Sequence, residues 1–166
     1  SLSATFTDEQ PAHLAFIIDG ITYKRAINGE ETFVFAVKDG EHTVFVRRAS
    51  NRAASGALLL TDLSVDGTLL TPPAEKQMKI EFVGDSITEG VLIDVDYSKS
   101  PAYPQEVYNR VYQDDVCATY AWLTAEKLNL RPIMMGYGAV GTTRSGSGNV
   151  PPAAVAYPHV YDKCSY

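Results

Sequence analysis

Consecutive prolines at Pro72 and Pro73, inside Thr71-Pro72-Pro73-Ala74-Glu75-Lys76, divide the chain into two stretches whose apolar residues follow different rules. Neither proline offers an amide donor and the pair favours an extended spacer, so no strand or helix continues across it. Before it, short apolar runs are punctuated by Asp19-Gly20, Asp39-Gly40 and Asp66-Gly67, pairs that favour tight hairpin turns. These runs predict strands over Leu14–Ile18, Ile21–Ala26, Thr32–Val37, Thr43–Arg47 and Ala57–Val65, with Phe33, Phe35 and Val37 alternating onto one face. Ser1–Phe6 reads as the middle of a further strand, so the first strands of the domain are expected to be missing. A β-sandwich over residues 1–74 fits this pattern best.

After the prolines the pattern becomes strand, loop, helix, strand, over Lys79–Val83, Asp115–Leu128 and Pro132–Met135, which is the grammar of an α/β domain over residues 75–166. The helix rests on Asp114 or Asp115 as cap, on Val116, Tyr120 and Leu123 at helical spacing, and on Asn129 and Pro132 as stop signals. Trp122 is read as a packing residue in preference to an aromatic lining a sugar site. Tyr103, Tyr108 and Tyr112 fall in the long segment after Ser86, where loops that follow strand ends carry specificity.

A content of 45% apolar and 20% charged residues is that of a globular chain, so disorder is not the default. The net charge of −6 leaves no basic stripe to track phosphates, the densest basic spot being Arg47-Arg48, and nucleic acid is excluded as a partner. No apolar run approaches the roughly 20 residues a membrane helix needs, so no membrane association is expected. Cys117 and Cys164 are too sparse for a disulfide framework and wrongly spaced for zinc, while a single bridge between them stays open.

The stretch Lys79-Ile-Glu-Phe-Val-Gly-Asp-Ser-Ile-Thr-Glu-Gly90 carries the chemistry. A strand that breaks at Gly84 and hands over Ser86 puts a hydroxyl at the carboxyl edge of a sheet, where open α/β folds bind ligands. It also aims the first backbone N–H groups of the next segment at that spot. This is half of an acyl-transfer site. The bland alternative is a helix start capped by Ser86, with Glu89 at the capping-box spacing.

The run Gly84-Asp85-Ser86-Ile87-Thr88-Glu89-Gly90 closely resembles the first signature block of the GDSL, or SGNH, esterases. Met135-Gly136-Tyr137-Gly138-Ala139-Val140-Gly141-Thr142-Thr143 resembles their second block. The resemblance makes Ser86 the catalytic nucleophile, places the N–H groups of Ser86 and Gly141 in the oxyanion hole, and leaves Asp85 bracing the turn. It implies no cofactor and no metal. A glycine suits position 141 because the backbone must approach a developing negative charge without a side chain between them. The same residues spell Gly-x-Gly-x-x-Gly, but a dinucleotide motif opens a helix, and Gly146, Gly148, Pro151 and Pro152 prevent one here.

The front half narrows the resemblance. Ile18-Asp19-Gly20, Gly40-Glu41-His42-Thr43-Val44, Arg47-Arg48-Ala49-Ser50 and Leu70 to Pro73 look like the jelly-roll domain that precedes the SGNH domain in carbohydrate esterase family two. That family removes O-acetyl groups from plant-wall polysaccharides, which implies an acetylated polysaccharide or other acyl ester as substrate and a secreted or periplasmic location. The expected architecture is therefore a jelly-roll-like β-sandwich followed by the N-terminal part of an α/β SGNH hydrolase domain.

Two pieces of the family pattern are not found after Gly141. The asparagine of a Gly-x-Asn-Asp block and the histidine of an Asp-x-x-His block are both missing: Asn149 sits in Gly148-Asn149-Val150-Pro151, and His159 has Ala156 three residues before it. Asp39-Gly40-Glu41-His42 matches the second block in letters only, because it precedes the serine and lies on a hairpin turn. His13 reads as a strand-edge residue. Too few residues follow Ser86 for more than two strand-crossover-strand units of about 30 residues each. The chain is thus expected to be the front portion of an enzyme: a gene fragment, a cleaved polypeptide, or one half of an assembly whose second chain supplies the rest of the SGNH domain. Two other readings stay open, an SGNH esterase or lipase acting on other acyl esters, and a carbohydrate-binding module without catalysis.

Overall fold

The computed structural model describes residues 1–50, 57–96, 109–136 and Gly138. The fold is mostly antiparallel β-sheet with few helices. Ser1–Ala74 with Asn109–Tyr112 form one compact unit, and a second starts at Glu75. Between them in sequence, Thr71 to Lys76 carries neither strand nor helix.

In the first unit, β1 (Leu2–Ile18) is the central strand. β2 (Ile21–Phe35) pairs antiparallel along one edge. The other edge is shared by β3 (Val44–Arg48), opposite Leu14–Ile18, and β4 (Leu58–Val65), opposite Leu2–Asp8. Asp19 (φ 50) and Gly20 (φ 82) close the β1–β2 hairpin, both in the left-handed region that a two-residue turn of the primed type requires.

β1 is far longer than the sequence predicts, because Asp8-Glu9-Gln10-Pro11 is absorbed within the strand. The register jumps from Asp8↔Gly29 to Ala12↔Ile27, and Pro11 falls in this irregularity, where no ladder amide is needed. Asp8, fully buried, accepts the Gln10 N–H at 3.1 Å and pairs with Arg48 at 2.8 Å. β2 likewise joins two predicted strands through Gly29 (φ 83).

The jump inserts an even number of residues, so the same face of β1 stays buried on both sides of it. Leu2, Ala4 and Phe6 before it, and Ala12, Leu14, Phe16 and Ile18 after it, share one core with Ile27, Phe33 and Phe35. The rings of Phe16 and Phe33 lie 5.0 Å apart although their ladder partners are Tyr23 and Ala4. At about 3.3 Å per residue a straight β2 would separate those rungs by roughly 30 Å. The hairpin is therefore bent so that its two halves pack face to face, and burial of these rings is the main term holding it there. Phe33 and Phe35 are buried on one face with Val37 packed against them, the alternation visible in the sequence.

The second unit opens with β5 (Lys79–Gly84), followed by the single-turn helices α1 (Ser86–Glu89) and α2 (Arg110–Gln113), a 3₁₀ turn over Val116–Ala118, α3 (Tyr120–Lys127) and β6 (Arg131–Gly136). α2 falls across the division between the units. β6 pairs parallel to β5 in register from Lys79↔Arg131 to Gly84↔Gly136. The predicted helix over Asp115–Leu128 is corrected in two respects. Asp115 caps only the 3₁₀ turn, accepting the Cys117 N–H at 2.8 Å, and Thr119 caps α3 through the Trp122 N–H. The buried face is Ala121, Trp122 and Ala125, whereas Tyr120 and Leu123 are more than half exposed. Asn129 (φ 54) does end the helix, with the Leu130 N–H reaching back to the Ala125 carbonyl at 2.8 Å.

Candidate active site

β5 and β6 run parallel and stop level with each other at Gly84 and Gly136, so the segments leaving their carboxyl ends emerge side by side. The turn after β5 is set by Asp85. Its backbone is extended (φ −96, ψ −150) and its carboxylate accepts the Ile87 N–H at 3.0 Å, which makes it the N-cap of α1. Ser86 is then the first helical residue and is half-buried. This corrects the alternative in which Ser86 caps the helix with Glu89 as its capping-box partner: the helix start does not consume the serine hydroxyl.

Two glycines allow α1 to sit on the strand ends. A β-carbon on Gly136 would lie 2.5 Å from the Glu89 nitrogen and 2.8 Å from the Thr88 carbonyl carbon, and one on Gly84 would collide with the Thr88 hydroxyl. Thr88 is buried beneath the turn and its hydroxyl lies 2.9 Å from the Tyr120 phenol oxygen, tying α1 to the start of α3. The rings of Tyr120 and Phe82 of β5 form a T-shaped pair with centroids 6.0 Å apart. At its other end α1 stops at Gly90 (φ 83), whose carbonyl accepts the Asp115 N–H at 2.9 Å. The buried Asp114 carboxylate accepts the Leu92 N–H at 2.8 Å. The serine turn is thus held from both sides by backbone-directed bonds.

Gly138, two residues beyond the end of β6, lies at the same place. The Gly138 N–H donates to a carboxylate oxygen of Glu89 at 2.9 Å, and a β-carbon on Gly138 would be 3.7 Å from that of Ser86. Asp85, Ser86, Glu89 and Gly138 therefore form one cluster at the strand ends. In the sequence Glu89 reads only as a capping-box partner and Gly138 only as one glycine of the second block, with no part in the site for either.

Gly141, the second oxyanion donor expected from the sequence, lies outside the described residues, as do Tyr103, Tyr108, Asn149, His159 and Cys164. His42 belongs to the first unit and pairs with Asp19, not with Asp39 of its own Asp-x-x-His run. Trp122 and Cys117 are buried. Among the described residues no group of three or more His, Cys, Asp or Glu is placed to hold a metal, and no helix is long and apolar enough to cross a membrane.

Neither a scan against protein-family profiles nor a comparison with curated protein sequences gives a match. Comparison with solved structures does. A family two carbohydrate esterase from Clostridium thermocellum, in complex with cellohexaose, superposes over 90% of this chain with a TM-score of 0.70 and 25% sequence identity. The chain has the fold of the family two carbohydrate esterases. A second family two esterase, from Corynascus thermopiles (Myceliophthora fergusii) and carrying a carbohydrate-binding domain, covers 96% of the chain at a TM-score of 0.73 and 24% identity. An acetyl xylan esterase from the rumen bacterium Butyrivibrio proteoclasticus covers 87% at 0.66 and 22%. The chain spans 45%, 47% and 40% of these three family two and acetyl xylan esterase structures, less than half of each.

Proposed function

We propose that this chain carries the nucleophile of a serine esterase that removes O-acetyl groups from polysaccharides, and that Ser86 is that nucleophile. The observation that supports it most is local. Ser86 stands at the joint carboxyl ends of two parallel strands, on a turn capped by its neighbour Asp85, so its hydroxyl remains for chemistry. The likeness to carbohydrate esterases, one of them an acetyl xylan esterase and another in complex with cellohexaose, supports the substrate class.

In this reading residues 1–74 form a jelly-roll-like domain and residues 75–166 the front of an SGNH α/β domain. The Ser86 oxygen adds to the acetyl carbonyl as a general base takes its proton. The resulting oxyanion is held by the N–H groups of Ser86 and Gly141, each such donor contributing roughly 100 to 1000-fold in rate. Collapse breaks the bond to the sugar oxygen, which leaves as a hydroxyl by taking the proton back from the base, and water then releases acetate from the acyl-serine. The base, a histidine in the family pattern, and a third donor, an asparagine, are assigned to no residue here. A polysaccharide substrate places the protein outside the cytoplasm.

Acetate release from acetylated xylan, by the natural-length protein that contains these residues, tests the reading. Turnover on acetylated xylan that exceeds turnover on long-chain esters, and falls to background in Ser86→Ala, supports it. Equal turnover by the variant contradicts it. A second reading is favoured by the cellohexaose complex of the Clostridium thermocellum structure: binding of polysaccharide without turnover. Calorimetry with xylan, mannan and glucan separates the two, since a binding module gives heat of association and no acetate.

A further inference from the structure

Glu89 engages the exit of β6 twice. Its backbone packs directly on Gly136, leaving no room there for a β-carbon, and its carboxylate accepts the Gly138 N–H at 2.9 Å. A bond from an amide to an ionised carboxylate is shorter and about twice as strong as a neutral one. Gly138 is in turn close enough to Ser86 that an added β-carbon would meet that of the serine at 3.7 Å and the Glu89 carboxylate at 3.1 Å. Gly138 therefore stands beside the serine, and the Glu89 carboxylate fastens it to α1. Asp85 fixes the start of the same helix, so the first and last residues around Ser86 are tied by different carboxylates to different backbone amides.

We propose that Glu89 is a positioning residue of the acyl-transfer site, holding the β6 exit against Ser86 so that the hydroxyl meets the acyl carbonyl in a reactive geometry. The proposal rests on the esterase reading above and adds a residue to it. A displacement of about 1 Å near a reacting centre costs on the order of 100-fold in rate. Loss of this tie thus acts on kcat more than on KM, since it changes the geometry around the Ser86 hydroxyl.

The experiment is amide exchange at Gly138 together with steady-state kinetics on an acetate ester, for wild type, Glu89→Ala and Glu89→Gln, using the natural-length protein. Glutamine keeps an acceptor oxygen and removes the charge. The expected result is slow Gly138 exchange in wild type, at least about 10-fold faster exchange in Glu89→Ala, and a kcat about 10 to 100-fold lower with KM within about threefold. Glu89→Gln is expected to recover most of both readouts. Unchanged exchange in Glu89→Ala, faster exchange with unchanged kcat, or Glu89→Gln as impaired as Glu89→Ala would each overturn the proposal. If Glu89→Ala does not fold, Glu89→Gln alone decides: retention of protection and rate supports the tie, and loss of either overturns it. A protected Gly138 amide in a wild-type protein that hydrolyses no ester overturns the esterase reading instead, and is recognised without any variant.

Discussion

The Nδ1 nitrogen of His42 lies 2.6 Å from a carboxylate oxygen of Asp19, while the other oxygen accepts the Thr43 N–H at 2.9 Å and His42 Nε2 lies 2.8 Å from the Lys38 carbonyl. The β1–β2 turn is thereby tied to the segment that enters β3. The hydrogen bond to Asp19, then that to the Lys38 carbonyl, raises the His42 pKa above its ordinary 6.5. The bond from His42, then that from the Thr43 N–H, lowers the Asp19 pKa below 3.8.

The sign follows from linkage. The His42 contribution is fully present below pH 6.5 and is lost as pH rises through the raised folded value. The Asp19 contribution is present above pH 3.8 and is lost as pH falls through the lowered one. The difference in melting temperature between wild type and His42→Ala is expected to be widest between these two values and to narrow at alkaline pH. A difference that does not narrow as pH rises past the raised His42 value would show that the charged pair contributes nothing. Both side chains reach solvent, so added salt should weaken the effect.

Asp85→Ala removes the cap of α1 and is expected to lower stability by about 1 kcal/mol in urea unfolding. Asp85→Asn keeps an oxygen acceptor for the Ile87 N–H and should lose only a fraction of that. Equal losses in the two variants would mean that the carboxylate charge, and not the cap bond, is what matters.

Gly136→Ala places a carbon 2.5 Å from the Glu89 nitrogen, a backbone contact that no rotamer change relieves. Overpacking of this kind costs roughly 1–3 kcal/mol. Because the displaced atoms belong to α1, the activity loss should exceed what the stability loss accounts for at temperatures well below melting. Wild-type stability in this variant would mean that α1 does not rest on the β6 end.

The parts of the fold written locally were legible in the sequence. The Asp19-Gly20 pair names its turn because both residues need positive φ, and Phe33 and Phe35 expose the period of their strand, with Val37 just past its end packed on the same core. Asn129 marks a helix end for the same conformational reason. What escaped is decided by tertiary partners. β1 runs through Pro11 because a register irregularity there demands no amide and a part-buried Asp8–Arg48 pair supports it. The buried face of α3 is set by Ala121 and Ala125, small and fully buried, together with Trp122, in a helix that packs on β6, while Tyr120 and Leu123 stay more than half exposed. Tyr120 instead hydrogen-bonds through its hydroxyl with that of Thr88, a residue far away in sequence. In the candidate site the serine turn was readable as a contiguous motif, whereas the tie from Glu89 to Gly138 joins two motifs and has no signature in either.

The central claim is that Ser86 is the residue that takes the acyl group. Incubating the active, natural-length protein with an organophosphonate ester and mapping the adduct by peptide mass spectrometry tests it most directly. The expected result is one phosphonyl group, located on Ser86, with acetate release falling in proportion to its incorporation. Full inactivation with the adduct on another residue, or full labelling of Ser86 with activity retained, would contradict the account.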